Sequence, residues 1–234
     1  MLNPNLDIEQ LKADYQSDHR LRIDNFLLPE KAQEIVDCLQ SELQFHRIFF
    51  NDGNNYVVST EQWNSIEAAA RQKIQAEIAE LASRGIGFLY EAYRMDKDNW
   101  QKAPKVLREL FEFINGGDVL DLVSSISGIR DIHGASGQYT RYNPGHYLTR
   151  HFDDVSSEGR LLAYVLNFTQ KWHPDWGGLL QFYEGSGVPR DAWEPRFNSI
   201  SLFDVRHIHA VTYVAPYAKA PRFALTGWFN SDVN

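Results

Sequence analysis

The chain has 234 residues, a net charge of −8, 43% hydrophobic and 23% charged residues. That length fits one large domain or two small ones, and the apolar share is enough for a core and too high for a disordered chain. The acidic balance lacks the basic footprint of a duplex-binding domain, so nucleic acid is not an expected partner.

In chain order, Leu21–Leu28 reads as a strand, and Pro29 opens a helix to about Leu43, with Ala32, Ile35, Val36, Leu39 and Leu43 at helical spacing. Phe45–Ser59 holds two strand-like runs around the turn Asn51–Asn55. A long helix is predicted from Thr60 or Glu61 to about Ser83, closed by Gly85, and then a strand over Gly87–Met95. Helices follow at about Lys105–Ile114 and Asp118–Ile126, each ended by glycine. From Ile132 the period changes to two, with strands predicted at Gly137–Tyr142, Tyr147–Asp153, Leu161–Thr169, Leu179–Tyr183, Ile200–Phe203, Ala210–Val214 and Arg222–Phe229.

No repeat, low-complexity tract or Pro/Gly/Ser-rich linker divides the chain, so a single domain over 1–234 is expected. Its fold class is α+β, with a helix-rich part over about 1–130 packed on one side of a jelly-roll barrel over about 131–234. Cys38 is the one cysteine, which fits a reducing compartment. No secretory signal is visible after Met1, and no run approaches the ~18 apolar residues of a membrane span. A cytoplasmic protein without a membrane partner is expected.

Three groups of residues carry chemistry. His151-Phe152-Asp153 puts an imidazole and a carboxylate on one face of a strand, two neighbouring corners of a metal site, or else an ordinary surface pair. About 55 residues later, Arg206-His207-Ile208-His209 offers two more imidazoles on one strand face, with His209 the favoured ligand. Two histidines and one carboxylate on one face of the metal are the ligand set of non-haem iron oxygenases. Arg222 begins a strand that otherwise reads as buried, and a buried cation needs a partner. That partner is either a structural Asp or Glu, or the far carboxylate of a dicarboxylate co-substrate.

In this order the chain resembles the iron- and 2-oxoglutarate-dependent oxygenases of the prolyl 4-hydroxylase superfamily. The segments are Tyr142 to Asp153, Gly177-Gly178-Leu-Leu-Gln-Phe-Tyr183, His209-Ala-Val211, Arg222-Phe-Ala-Leu-Thr226-Gly-Trp228-Phe and the helix Asp118 to Gly128. Glu158 to Asn167 is most similar to the ribosomal prolyl hydroxylases of the yeast type. Arg222 stands where collagen-type members have lysine, as in the oxygen-sensing and ribosomal types. The resemblance implies Fe(II) at His151, Asp153 and His209. It implies 2-oxoglutarate held by Arg222 with help from Tyr142, Thr226 and Tyr164, and O2 as oxidant. It also implies hydroxylation of a proline-containing protein or peptide, such as one of the translation machinery, with release of succinate and CO2. The ribosomal type carries a second, degenerate barrel for which 234 residues leave no room, so the substrate need not be the same.

Rival readings are a nucleic-acid base or small-molecule oxygenase on the same site, and a non-enzymatic metal or carboxylate sensor. A free amino acid would need its own charged pair, for which Arg150 and Asp154 are the available residues. His19, His46, His133, His146 and His173 read as structural or surface residues, His146 being nearest the site. Trp172 and Trp176 read as packing in preference to a substrate rim. The polar loops Asn51–Asn55 and Asp153–Gly159 are placed to flank the barrel mouth.

Overall fold

The computed structural model describes residues 1–155 and 158–231; Ser156 and Ser157 of the predicted loop Asp153–Gly159, and positions 232–234, lie outside the described residues. The chain opens with a helix that the sequence pattern did not predict, α1 (Ile8–Asp18). Asp7 caps it by accepting from the Gln10 N–H, and His19 ends it in the left-handed region. Strand β1 (Arg20–Ile23) is half the predicted length, because Asn25 turns the chain with positive φ. Helix α2 (Pro29–Ser41) starts on proline at its first turn, as that ring favours.

The hairpin β2 (His46–Asn51) and β3 (Asn54–Val58) turns through Asp52 and Gly53, both at positive φ as a two-residue hairpin requires. The predicted long helix is two, α3 (Thr60–Ser65) and α4 (Ala68–Ser83). The break falls at Ile66, whose extended backbone lets it join Trp63, Phe49 and Ile78 in one apolar cluster. Next come β4 (Phe88–Arg94), α5 (Lys105–Ile114) and α6 (Gly117–Ser127). Gly128 ends α6 in the left-handed region, whereas α5 ends on Asn115.

The remaining strands are β5 (Gly134–Tyr142), β6 (Tyr147–His151), β7 (Arg160–Asn167), β8 (Leu180–Tyr183), β9 (Pro189–Trp193), β10 (Ser199–Asp204), β11 (His209–Val211) and β12 (Arg222–Asn230). All pairings are antiparallel, in the order β1-β10-β7-β12-β5-β4-β6-β11-β8-β9, with β2 and β3 added beside β4. The sheet curls into the jelly-roll form expected from the sequence, and its two faces differ. Leu162, Tyr164, Leu166, Phe223, Leu225 and Phe229 face outward into a core shared with the helices. Ala163, Val165, Leu180, Phe182, Phe203 and Ala224 face inward and meet inside the curl. Among the described residues no helix is long and apolar enough to cross a membrane.

Candidate active site

The inner face carries the polar residues. His209 begins β11 directly opposite His151, the last residue of β6. Two steps along β11, from His209 to Val211, match three along β6, from His151 to Leu148, so β6 carries one extra residue. Such a bulge reverses the alternation of side chains beyond it. Leu148 and His151 can therefore both face inward, Leu148 joining the Tyr142, Val211 and Val214 cluster.

Asp153 lies past the end of β6, not on the strand as predicted, and is placed by its N–H donating to the Val205 carbonyl at 2.9 Å. His151, Asp153 and His209 bring one ligand atom each to within 4.8 Å of one another. Asp153 Oδ1 is 3.6 Å from His151 Nε2 and its Oδ2 is 3.5 Å from His209 Nε2. Each imidazole Nδ1 lies 2.9 Å from a carbonyl, of Thr149 for His151 and of His207 for His209. Nδ1–H donation to those carbonyls leaves each Nε2 a bare lone pair. Two lone pairs and a carboxylate then face one another, an arrangement that a cation completes. Backbone carbonyls that orient histidines in this way are typical of metal sites. Burial, then the neighbouring His151, pushes the His209 pKa down to about 4, keeping it in the neutral, ligating form. The donor set is that of Fe(II) oxygenases, and these three residues can hold such an ion.

His207 is not on the strand beside His209. It lies in the turn before β11, with Nε2 3.0 Å from the Asp18 carbonyl and its own carbonyl accepting from His209. It supports a ligand and does not point at the metal position.

Arg222 is 2% exposed and pairs across the ladder with Tyr142, its guanidinium carbon 5.3 Å from that ring. Its Nε has no partner, and among the described residues no Asp or Glu lies within ion-pair distance. The structural salt bridge considered as the alternative is absent there. Burial lowers the guanidinium pKa and raises that of the Tyr142 phenol, so both groups lack the water or partner they would have outside. Gly178 makes room for this arrangement. At φ +63°, a Cβ there would lie 2.9 Å from the Trp172 ring and 3.5 Å from Arg222 Cδ. Trp172 donates its Nε1–H to the Gly177 carbonyl and packs with Tyr142, Val211 and Val214.

Thr226 shares the inner face of β12 with Arg222 and Ala224. Tyr164 does not. It points outward, packs against the tilted Phe229 ring and donates to the Ser136 carbonyl at 3.2 Å. Its assignment to the co-substrate pocket is therefore corrected, since Ala163 and Val165 are the β7 residues that face inward. Asn167 was missed. It shares the inward parity of Val165 and sits opposite Ala224, its Oδ1 buried without a donor. An asparagine closing an apolar strand was the available signal. His146 is buried and structural, its Nδ1 accepting from the Asn143 N–H at 3.1 Å.

The family model of the 2OG-Fe(II) oxygenase superfamily matches residues 137–230, a segment that includes the three ligand candidates and Arg222. No match is found among the curated proteins. Among solved structures the chain resembles a Pseudomonas putida prolyl-4-hydroxylase at TM-score 0.62 and 16% identity, covering 97% of this chain and 100% of that one. It resembles a 2OG-Fe(II) oxygenase family oxidoreductase from Burkholderia pseudomallei at TM-score 0.64 and 12% identity, covering 99% and 94%. A prolyl hydroxylase from Trichoplax adhaerens, solved with a hypoxia inducible factor peptide fragment, matches at TM-score 0.60 and 19% identity, covering 96% and 89%. At these identities the three structures speak for a common fold.

Proposed function

We propose, on the match of residues 137–230 to the 2OG-Fe(II) oxygenase superfamily, that this chain is a 2-oxoglutarate-dependent dioxygenase that hydroxylates prolyl residues of a protein, releasing succinate and CO2. The observation that carries the reading is the pairing of a cation-demanding triad with a buried, partnerless arginine on the same inner face. The prolyl choice is supported by the Pseudomonas and Trichoplax enzymes, the second of which was solved with a peptide. The similarity of Glu158–Asn167 to ribosomal prolyl hydroxylases favours a substrate from the translation machinery.

In this reading His151, Asp153 and His209 would hold Fe(II). Iron together with 2-oxoglutarate and O2 supplies the oxidising power that turns a substrate C–H into C–OH. The protein's part is position and exclusion of water. The Thr149 and His207 carbonyls fix the two imidazole planes. Arg222 receives the far carboxylate of 2-oxoglutarate by charge-assisted hydrogen bonds, with the Tyr142 hydroxyl beside it and Thr226 on the same wall. Phe182 and Phe203 pack against the His209 ring and keep that side dry.

The test is turnover with Fe(II), 2-oxoglutarate and a reductant, reading succinate and, by mass spectrometry, peptides heavier by one oxygen. Hydroxylated proline in a protein fragment is the expected product. Turnover of free proline with none on any polypeptide overturns the prolyl-protein reading. Hydroxylation of a nucleic-acid base, or no succinate at all, overturns it equally.

A further inference from the structure

Away from the triad, a groove of about 710 Å³ lies on the opposite face of β6 and β11, bounded by α4. Apolar and aromatic side chains line its middle, among them Ile78, Ala82, Tyr147 and Tyr213. Among the described residues Arg47 and Arg150 are the charged residues of its wall, and no Asp or Glu lines it, although the chain as a whole is acidic.

Both guanidiniums are held in place and neither is neutralised. Arg47 lies 4.5 Å over the Trp63 ring, and among the described residues it has no ion-pair partner. Glu91, opposite it in the β2–β4 register, is engaged by Arg141 and Asn143. Arg150 lies 5.5 Å over the Tyr183 ring and gives one N–H to the Gly187 carbonyl. Stacking of this kind orients a guanidinium while leaving its edge free for an anion.

The register fixes their separation. Phe49, Leu89 and Tyr147 are aligned across β2, β4 and β6. Arg47 lies two residues to one side of that line and Arg150, with the extra residue of β6 discounted, two to the other. At roughly 3.3 Å per residue the two positions stand about 13 Å apart along the strands. A compact anion cannot meet both. An extended peptide can, with two acidic side chains four residues apart and an apolar one between them, all on one face. Arg150 also directly precedes the ligand candidate His151, and the Tyr183 N–H donates to the carbonyl of Ile208, next to His209. One end of the groove therefore adjoins the proposed site of reaction.

We propose that this groove docks an extended acidic segment of the protein substrate, with Arg47 and Arg150 each taking a carboxylate and the tyrosines holding the apolar residue between. The proposal rests on the reading of a protein substrate given above, but its binding test does not. The probe is a fluorescein-labelled, proline-free peptide containing Glu-Thr-Leu-Thr-Glu, with saturating 2-oxoglutarate present so that Arg222 is occupied.

Fluorescence anisotropy should show binding that weakens at least fivefold in Arg47→Gln, in Arg150→Gln and for the Gln-Thr-Leu-Thr-Gln peptide, and that weakens with added salt. Ala82→Trp, which fills the middle of the groove, should abolish it and serves where the Arg47 variant does not fold. No binding, equal binding of the neutral peptide, or unchanged affinity in the variants overturns the proposal. Because the probe has no proline, specific binding alongside failure to hydroxylate any prolyl polypeptide would retain the groove and remove only the prolyl reading.

Discussion

Arg222 and Tyr142 face each other across the β12–β5 ladder, the guanidinium carbon 5.3 Å from the ring centroid, with no carboxylate among the described residues beside them to complete a pair. A buried cation without a partner destabilises the protein until an anion arrives. Arg222→Ala should raise the 2-oxoglutarate concentration needed for half-maximal turnover by one to two powers of ten. Charge-assisted hydrogen bonds contribute about 1.5–3 kcal/mol, and a factor of ten is about 1.4 kcal/mol. Arg222→Met should melt no lower than wild type without 2-oxoglutarate and lose the upward melting shift that 2-oxoglutarate gives wild type. An unchanged 2-oxoglutarate requirement in the alanine variant would refute this role.

The metal assignment separates two histidines that are neighbours in sequence. His209→Ala should lose stoichiometric divalent metal, measured by elemental analysis and by metal-induced thermal shift of the apo protein. His207→Ala should keep it, because His207 contacts the ligand through its carbonyl. The reverse pattern would make His207 the ligand.

His146 makes stability depend on pH. Its Nδ1 accepts the Asn143 N–H, which a protonated ring cannot do, and burial pushes its pKa down to about 4 from 6.5. Below 6.5 the unfolded chain takes up a proton that the native chain refuses, so stability is full above that pH and falls as pH drops towards 4. A gap of roughly 2.5 units at 1.36 kcal/mol each removes about 3 kcal/mol at the acid end. His146→Asn, whose amide oxygen can accept the same hydrogen bond, should flatten the difference between urea midpoints at pH 7 and pH 4.5. His209 contributes equally to both proteins and cancels. Parallel pH profiles for the two proteins would show that His146 is not responsible.

Tyr164 and Tyr142 should part company when each loses its hydroxyl. Tyr164→Phe removes one hydrogen bond, to Ser136, and should cost about 1 kcal/mol of stability with no change in 2-oxoglutarate requirement. Tyr142→Phe should raise that requirement. A Tyr164→Phe enzyme short of 2-oxoglutarate affinity would return Tyr164 to the pocket.

These outcomes also mark where the sequence was informative. Helix α5 was legible to the residue, because Leu107, Leu110, Phe111 and Ile114 form one apolar stripe bounded by Pro104 and Asn115. Helix α1 was not, since Tyr15 is its one fully buried side chain and its stripe is too thin to read. Strand β9 is almost wholly exposed and has no alternation to show. The placement of Tyr164 failed for the opposite reason. Most of β7 is buried on both faces, so apolar pattern cannot tell inside from outside. The His151–Asp153 spacing and the distal His209 were visible as residue types. The bulge that lets Leu148 and His151 share a face is a property of two strands together, and neither strand's sequence announces it.

Strand β12 is the last of the twelve along the chain, yet it is hydrogen-bonded on both sides, to β5 and to β7. During synthesis β5 and β7 therefore leave the ribosome with a vacancy between them. Neither can complete its ladder until Arg222–Asn230 has emerged. The nascent chain spends that interval with two unpaired edges exposed, the condition under which strands join the wrong neighbour. Closure of the sheet and arrival of Arg222 in its interior are then a single late event. A chain stopped short of β12 would lack a closed fold as well as a complete pocket, and the cell would meet it as a client for chaperones.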